Sequence, residues 1–117
     1  MYNLNNVNLD FLLGESIIQI CFGKYITQFY LGENISISSG DEIIVSYLNK
    51  KQTIYPDKEI VDFSIRQLIG ETVNKVEVEG DRNLILLLND GIVLSFMATS
   101  DSSECYSINY KLGTIVI

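Results

Sequence analysis

The chain has 117 residues, 47% of them hydrophobic and 20% charged, a balance that gives one folded domain with an apolar core, needs no disulfide or metal staple, and excludes disorder. Acidic residues outnumber basic ones 15 to 8, for a net charge of -7. That charge disfavours direct contact with nucleic acid or an anionic membrane, and it suits either simple solubility or a basic protein partner.

The N-terminal "MYNLNNVNLDF" lacks a positive n-region and an apolar h-region, which predicts no signal peptide. "NVNLDFLLG" (6–14) reads as a short helix leading to Gly14. A strand through Ile20, Cys21 and Phe22 follows, then the amphipathic strand "TQFYL" (27–31), a turn at "LGENI" (31–35), and a third strand. "EIIVSYL" and "QTIY" complete a first unit of about 8–55.

"PDKEIVDFSIRQL" (56–68) opens with the only proline, carries acids early and Arg66 late, and is followed by Gly70. These are the start, dipole and stop signals of a helix. The alternation of Val61, Phe63 and Ile65 would also suit a strand. Val76 and Val78 then alternate with Lys75, Glu77 and Glu79, as in a half-buried strand. "LILLL" (84–88) is apolar on both faces and predicts a central, doubly covered strand. Asp90-Gly91 within "LNDGI" predicts a type I′ hairpin turn. The polar loop "TSDSSE" and the strands "ECYSINY" and "TIVI" close a second unit of about 57–117.

The two units match. At an offset of 56, Gly14 meets Gly70, Glu15 meets Glu71, Ser16 meets Thr72, and Ile17 meets Val73. After one extra residue, assigned to Glu79, the offset becomes 57, and Leu31 meets Leu88 while Ile35 meets Ile92. Asn34 then stands in for Gly91 as the left-handed turn residue. In the last strands Thr53-Ile54 is set against Thr114-Ile115. The expectation is a mainly β (α+β) single domain, 1–117. It consists of two pseudo-repeated antiparallel β-meanders packed as a sandwich or half-open barrel, with one or two short helices.

Catalytic chemistry is poorly represented. The chain has no histidine, which removes the commonest general base and any Ser-His or Cys-His nucleophile pair. It has no Walker motif and no GxGxxG. Cys21 and Cys105 lack metal or redox spacing and read as small structural hydrophobes, Cys105 without a basic neighbour. No enzyme, cofactor or metal is expected, and a reducing, cytoplasmic setting is expected. No apolar run reaches the roughly 18 residues of a membrane span.

The acidic residues fall in groups: Glu77, Glu79 and Asp81; Asp57, Glu59 and Asp62; Asp101 with Glu104; and Asp41 with Glu42. Each group can be an ordinary wet surface or part of a negative docking face. Tyr106, Tyr110, Tyr47 and Tyr55 lie nearby, and tyrosine serves both strands and interfaces.

The order "LLGESI…FGKYI…LGENISI", a helix, "LIGETV…LILLLNDGIVL" and "ECYSI" resembles small immunity proteins of bacterial polymorphic toxin systems, including contact-dependent growth inhibition. The residues that carry the resemblance are Leu68-Ile69-Gly70, the hairpin around Asp90-Gly91, and Glu104-Cys105-Tyr106-Ser107-Ile108. Leu88 stands where an aromatic is common. The resemblance spans most of the chain and implies a non-enzymatic inhibitor that covers the active site or substrate surface of a cognate toxin, a nuclease with a basic cleft. No contact residue follows from it. From charge and position alone, the candidate toxin-binding residues are Glu77, Glu79, Asp81, Asp101, Glu104, Tyr106, Asp57 and Glu59. The competing expectations are a small-molecule-binding β module and a scaffold that dimerises through an edge strand, "GTIVI" being uncharged and apolar.

Overall fold

The computed structural model describes residues 3–48, 50–54, 63–101 and 103–117. The described part of the first half supplies β1 (Ile17–Phe22), β2 (Thr27–Leu31), β3 (Ile35–Ser39), β4 (Ile43–Tyr47) and β5 (Lys50–Ile54). The second supplies β6 (Val73–Glu79), β7 (Asn83–Leu88), β8 (Val93–Phe96), β9 (Tyr106–Tyr110) and β10 (Gly113–Val116). They form two antiparallel five-stranded sheets, ordered β1-β2-β3-β9-β10 and β5-β4-β8-β7-β6, with no closed barrel. Each half thus builds three strands of one sheet and sends its last hairpin into the other.

Alternation explains the core. β2 buries Thr27, Phe29 and Leu31, and β7 buries Leu84, Leu86 and Leu88. These inward rows join one apolar cluster with residues of both sheets. Phe29 of one sheet meets Phe96 of the other edge to face, with ring centres 5.3 Å apart, a contact contributing about 1 kcal/mol beyond its buried area. β7 is not covered on both faces, however. Ile85 and Leu87 point outward and are only half-buried.

The halves meet across a pseudo-twofold axis. Ser16 and Thr72 form an isolated antiparallel bridge, and they are repeat mates. The hydrogen bonds around them come in matched pairs. Ile17 N–H donates to Glu71 O and Val73 N–H to Glu15 O, both at 2.9 Å. Gly14 N–H donates to Val73 O at 2.9 Å and Gly70 N–H to Ile17 O at 2.7 Å. Gly14 and Gly70 have φ of 81° and 95°, a region that costs any other residue strain. Both β1 and β6 carry a bulge, between Ile17 and Gln19 and between Val73 and Lys75.

Several sequence expectations need correction. The bulge in β1 shifts its alternation, so that Ile17 and Ile20 face the core and Phe22, on the same side, ends the strand half-exposed. Cys21 therefore faces outward opposite Gln28 and is half-exposed rather than buried. The expected helix at 6–14 is two 3₁₀ turns, Leu4–Asn6 and Asp10–Leu12. Asn3 and Asn8 side chains accept from the backbone of Asn5 and Asp10, competing with a longer helix. Of the expected helix 56–68, Phe63–Leu68 is a 3₁₀ helix, and the remainder lies outside the described residues. The repeat nevertheless holds in the core. Leu9 and Leu12 are buried like their mates Ile65 and Leu68.

The turn of the second half is as expected, and that of the first half differs. Asp90 and Gly91 have φ of 62° and 77°, as a type I′ turn demands. In the first half the positive angle falls on Gly32, φ 63°, and not on Asn34. Glu79 is still paired, with Asn83, so the extra residue lies in the turn 80–82. The last hairpins align at a larger offset than Thr53-Ile54 against Thr114-Ile115 implies. Ile43 pairs with Phe96, and Tyr106 with Ser39, so β9 matches β4 and Ile117 matches Ile54. The connection after β8 runs 97–105, against 40–42 after β3, and takes up the difference.

Candidate functional site

Strand direction sorts the charged residues to the two ends of the sandwich. β2 and β3 pair from Thr27 with Ser39 to Leu31 with Ile35. The 23–26 turn and the 40–42 crossover therefore share one end. Equivalent pairing of β6, β7 and β8 puts the 80–82 turn and the 97–105 crossover at that same end. The crossovers are tied together there, since Gly40 N–H donates to Cys105 O and Met97 N–H to Glu42 O, both at 3.0 Å.

Among the described residues this crossover end carries Asp41, Glu42, Glu79, Asp81, Asp101 and Glu104, against Lys24 and Arg82. Lys50, Lys51 and Lys111 sit at or next to the far turns of the last hairpins, and Lys75 lies near the start of β6, where Glu15, Glu33, Glu71 and Asp90 balance them. The fold thus gathers acids from separate segments at one end and mixes signs at the other.

Arg82 offsets one of these charges from below the tip. Its side chain is largely buried, donates from Nη1 to Ser100 O at 2.7 Å, and pairs with Asp101 at 3.2 Å. Its Nη2 lies 3.6 Å from Cys105 Sγ, so Cys105 does have a basic neighbour, brought by the 80–82 turn. Cys105 is buried, and its thiol sits 3.4 Å from Ser100 O and 3.5 Å from Ser103 O.

The first part of the long crossover is pinned at 98–101. Ala98 N–H donates to Asn83 Oδ1 at 2.9 Å. Thr99 donates to Asp41 from its N–H at 2.7 Å and from its hydroxyl at 2.8 Å. Asp41 also accepts from Glu42 N–H at 2.7 Å. Burial works to raise the Asp41 carboxyl, but these hydrogen bonds outweigh it and hold the pKa below its ordinary value. Asp41 is thus a latch on Thr99, and Asp101 and Glu104 are exposed further along the same crossover.

The sequence candidates separate accordingly. Glu79, Asp81, Asp101 and Glu104 are exposed and share the crossover end. Glu77 faces outward midway along β6 and pairs with Lys75 at 3.1 Å. Tyr106 is a correction. It is 1% exposed, packs near Phe96, and donates its hydroxyl to Arg82 O at 2.7 Å. Burial pushes its phenol well above the ordinary range. Its ring supports the site from below and presents nothing to a partner. Inward placement follows from its pairing with Ser39, a buried position of β3. Asp57 and Glu59 lie outside the described residues, as do Tyr55 and Asp62. Tyr110 stacks on Phe11 with ring centres 4.2 Å apart, and Tyr47 lies exposed at the far end.

Among the described residues no cluster of His, Cys, Asp or Glu is arranged to hold a metal, and no helix is long and apolar enough to cross a membrane. Sequence reasoning missed Arg82 and read Asp41 only as one of an acidic group. Their roles leave no local motif, because these contacts join residues 18 to 58 positions apart. Compared with protein-family models, curated proteins and solved structures, the chain has no match.

Proposed function

We propose that this chain is an immunity protein that binds a basic toxin domain of the nuclease class through its crossover end and covers the toxin's active site or substrate surface. The observation that carries this reading is the convergence of Glu79, Asp81, Asp101 and Glu104 on one end, beside a crossover tied down at Thr99 and Ser100 by Asp41 and Arg82. Carboxylates placed this way take the positions of substrate phosphates in a basic cleft. They raise the association rate by steering, and the hydrogen bonds at 98–101 lower the entropy lost there on docking. The family resemblance supports the same reading, as does a chain without histidine. Co-expression with the toxin domain encoded beside the gene tests it. Protection of the cell and a stable complex on sizing support the reading; continued killing with no complex rejects it.

A second reading, self-association through β10, is favoured by one contrast. The outer edge strands β5 and β10 are repeat mates. β5 starts with Lys50 and Lys51, which blunt an edge, whereas β10 has Gly113 and Thr114 at those positions. Concentration-dependent dimerisation abolished by Thr114→Lys supports it. A monomer at every concentration removes it.

A further inference from the structure

The two turns at the crossover end are repeat mates with unequal cover. The second, 80–82, lies under the long crossover: Arg82 reaches Ser100 and Asp101, and Asn83 holds Ala98. The first, 23–26, adjoins the short crossover 40–42, and an added Cβ on Gly40 would touch Tyr25 O at 3.5 Å. With no long loop of its own, this turn leaves Tyr25 64%, Phe22 51% and Ile26 49% exposed. Their mates tell the difference. Phe22 corresponds to the partly buried Val78 and Ile26 to Asn83.

Three large exposed apolar side chains within the five residues 22–26 stand out on a chain that carries a net charge of -7, and exposed apolar surface of this kind marks contact sites. Phe and Tyr anchor interfaces because each buries a large area for two rotatable bonds. Lys24 Nζ lies 5.3 Å from the Tyr25 ring centre and flanks the ring. The acids of the neighbouring turn and crossovers lie at the same end of the sandwich.

Resting on the immunity reading, we propose that Phe22, Tyr25 and Ile26 are the anchor of the docking surface. A segment of the basic partner covers the first turn as the 97–105 crossover covers the second. The partner chemistry is specified: an apolar loop or socket bordered by Lys or Arg that reach Glu42, Glu79, Asp81 and Asp101. Anchors and charges then divide the work. Apolar burial sets how long the complex lasts, and the acids set how fast it forms.

The test uses the whole chain and the toxin domain encoded beside its gene, by stopped-flow and surface-bound kinetics at several salt concentrations. Tyr25→Ser and the triple variant Phe22→Ser, Tyr25→Ser, Ile26→Thr are compared with Glu79→Lys, Asp81→Lys. Thermal melts control for folding; Tyr25→Ser is the conservative arm, since that side chain is mostly in solvent. The expected result is a dissociation rate raised at least tenfold by the apolar variants with an unchanged salt slope, and a slower, less salt-dependent association in the charge variant. A complex that forms with an unchanged dissociation rate in the folded apolar variants overturns the anchor while leaving the immunity reading standing. Absence of any wild-type complex overturns both. A wild-type dimer that the triple variant converts to monomer assigns the patch to self-association and also overturns the proposal.

Discussion

Ser16 Oγ and Thr72 Oγ1 lie 3.0 Å apart, and each residue is the other's repeat mate. A residue can touch its own mate only at a symmetry axis, so this contact fixes where the two halves turn into one another. The hydroxyl pair is part-buried, and removing one partner strands the other. Ser16→Ala and Thr72→Ala are each expected to lower stability by about 1 kcal/mol, and the double variant by less than their sum. Urea unfolding of the four proteins gives the coupling directly; strict additivity would show that the pair contributes nothing.

Thr27 stands in the core where its mate is Leu84. Both are 0% exposed, but Thr27 Oγ1 has no hydrogen-bond partner among the described residues. A buried, unmatched hydroxyl is destabilising, and valine keeps its shape. Thr27→Val is expected to raise stability by about 1 kcal/mol, read as a higher denaturation midpoint with an unchanged m-value.

Arg82 holds the long crossover by its contacts to Ser100 and Asp101. Arg82→Met keeps the stem and removes the donors. It is expected to destabilise the chain by about 2 kcal/mol and to speed amide exchange in 97–105 more than in β7. Equal effects on both segments would mean that the loop does not depend on this side chain.

Two carboxylates should respond to pH in opposite senses. Asp41 titrates lower in the folded chain than its ordinary value of 3.8. Its stabilising effect is present above that value and is lost as pH falls through the folded pKa. Glu71 titrates higher than 4.5, first because of burial and then because of Asp90, and its Oε1 has no partner among the described residues. Its charged form therefore costs stability above the folded pKa, and the cost disappears as it takes up a proton. Glu71→Gln is expected to raise the melting temperature at pH 7, with a gain that shrinks as pH falls towards 4.5. Asp41→Asn is expected to lower the melting temperature at pH 7, with a deficit that shrinks below 3.8. Melting curves from pH 3 to pH 7 check both signs.

The sequence carried the three-stranded units because their determinants are local. Gly14 and Gly70 stop the chain at the same angle, Asp90-Gly91 makes its turn from two residues, and valines 76 and 78 alternate in plain view. The last hairpins were misaligned because their register is set by partners in the opposite half. Ile43 is placed by Phe96 and Tyr106 by Ser39, and neither pairing leaves a local trace. Tyr106 shows the same limit at the site. Next to Glu104 it reads as interface, but pairing with a buried position turned it inward. The acids were visible one group at a time, while their meeting at one end depends on strand direction. The apolar turn at 23–26 stands out only beside its covered mate.

Docking through the crossover end is read from backbone amide shifts of the isotope-labelled chain as the basic toxin domain proposed for its partner is added. Changes concentrated in 22–26, 40–42, 79–82 and 97–105 are expected, with the turns at 32–34 and 89–91 unmoved. Changes centred on those far turns, or spread along β5 and β10, would contradict it.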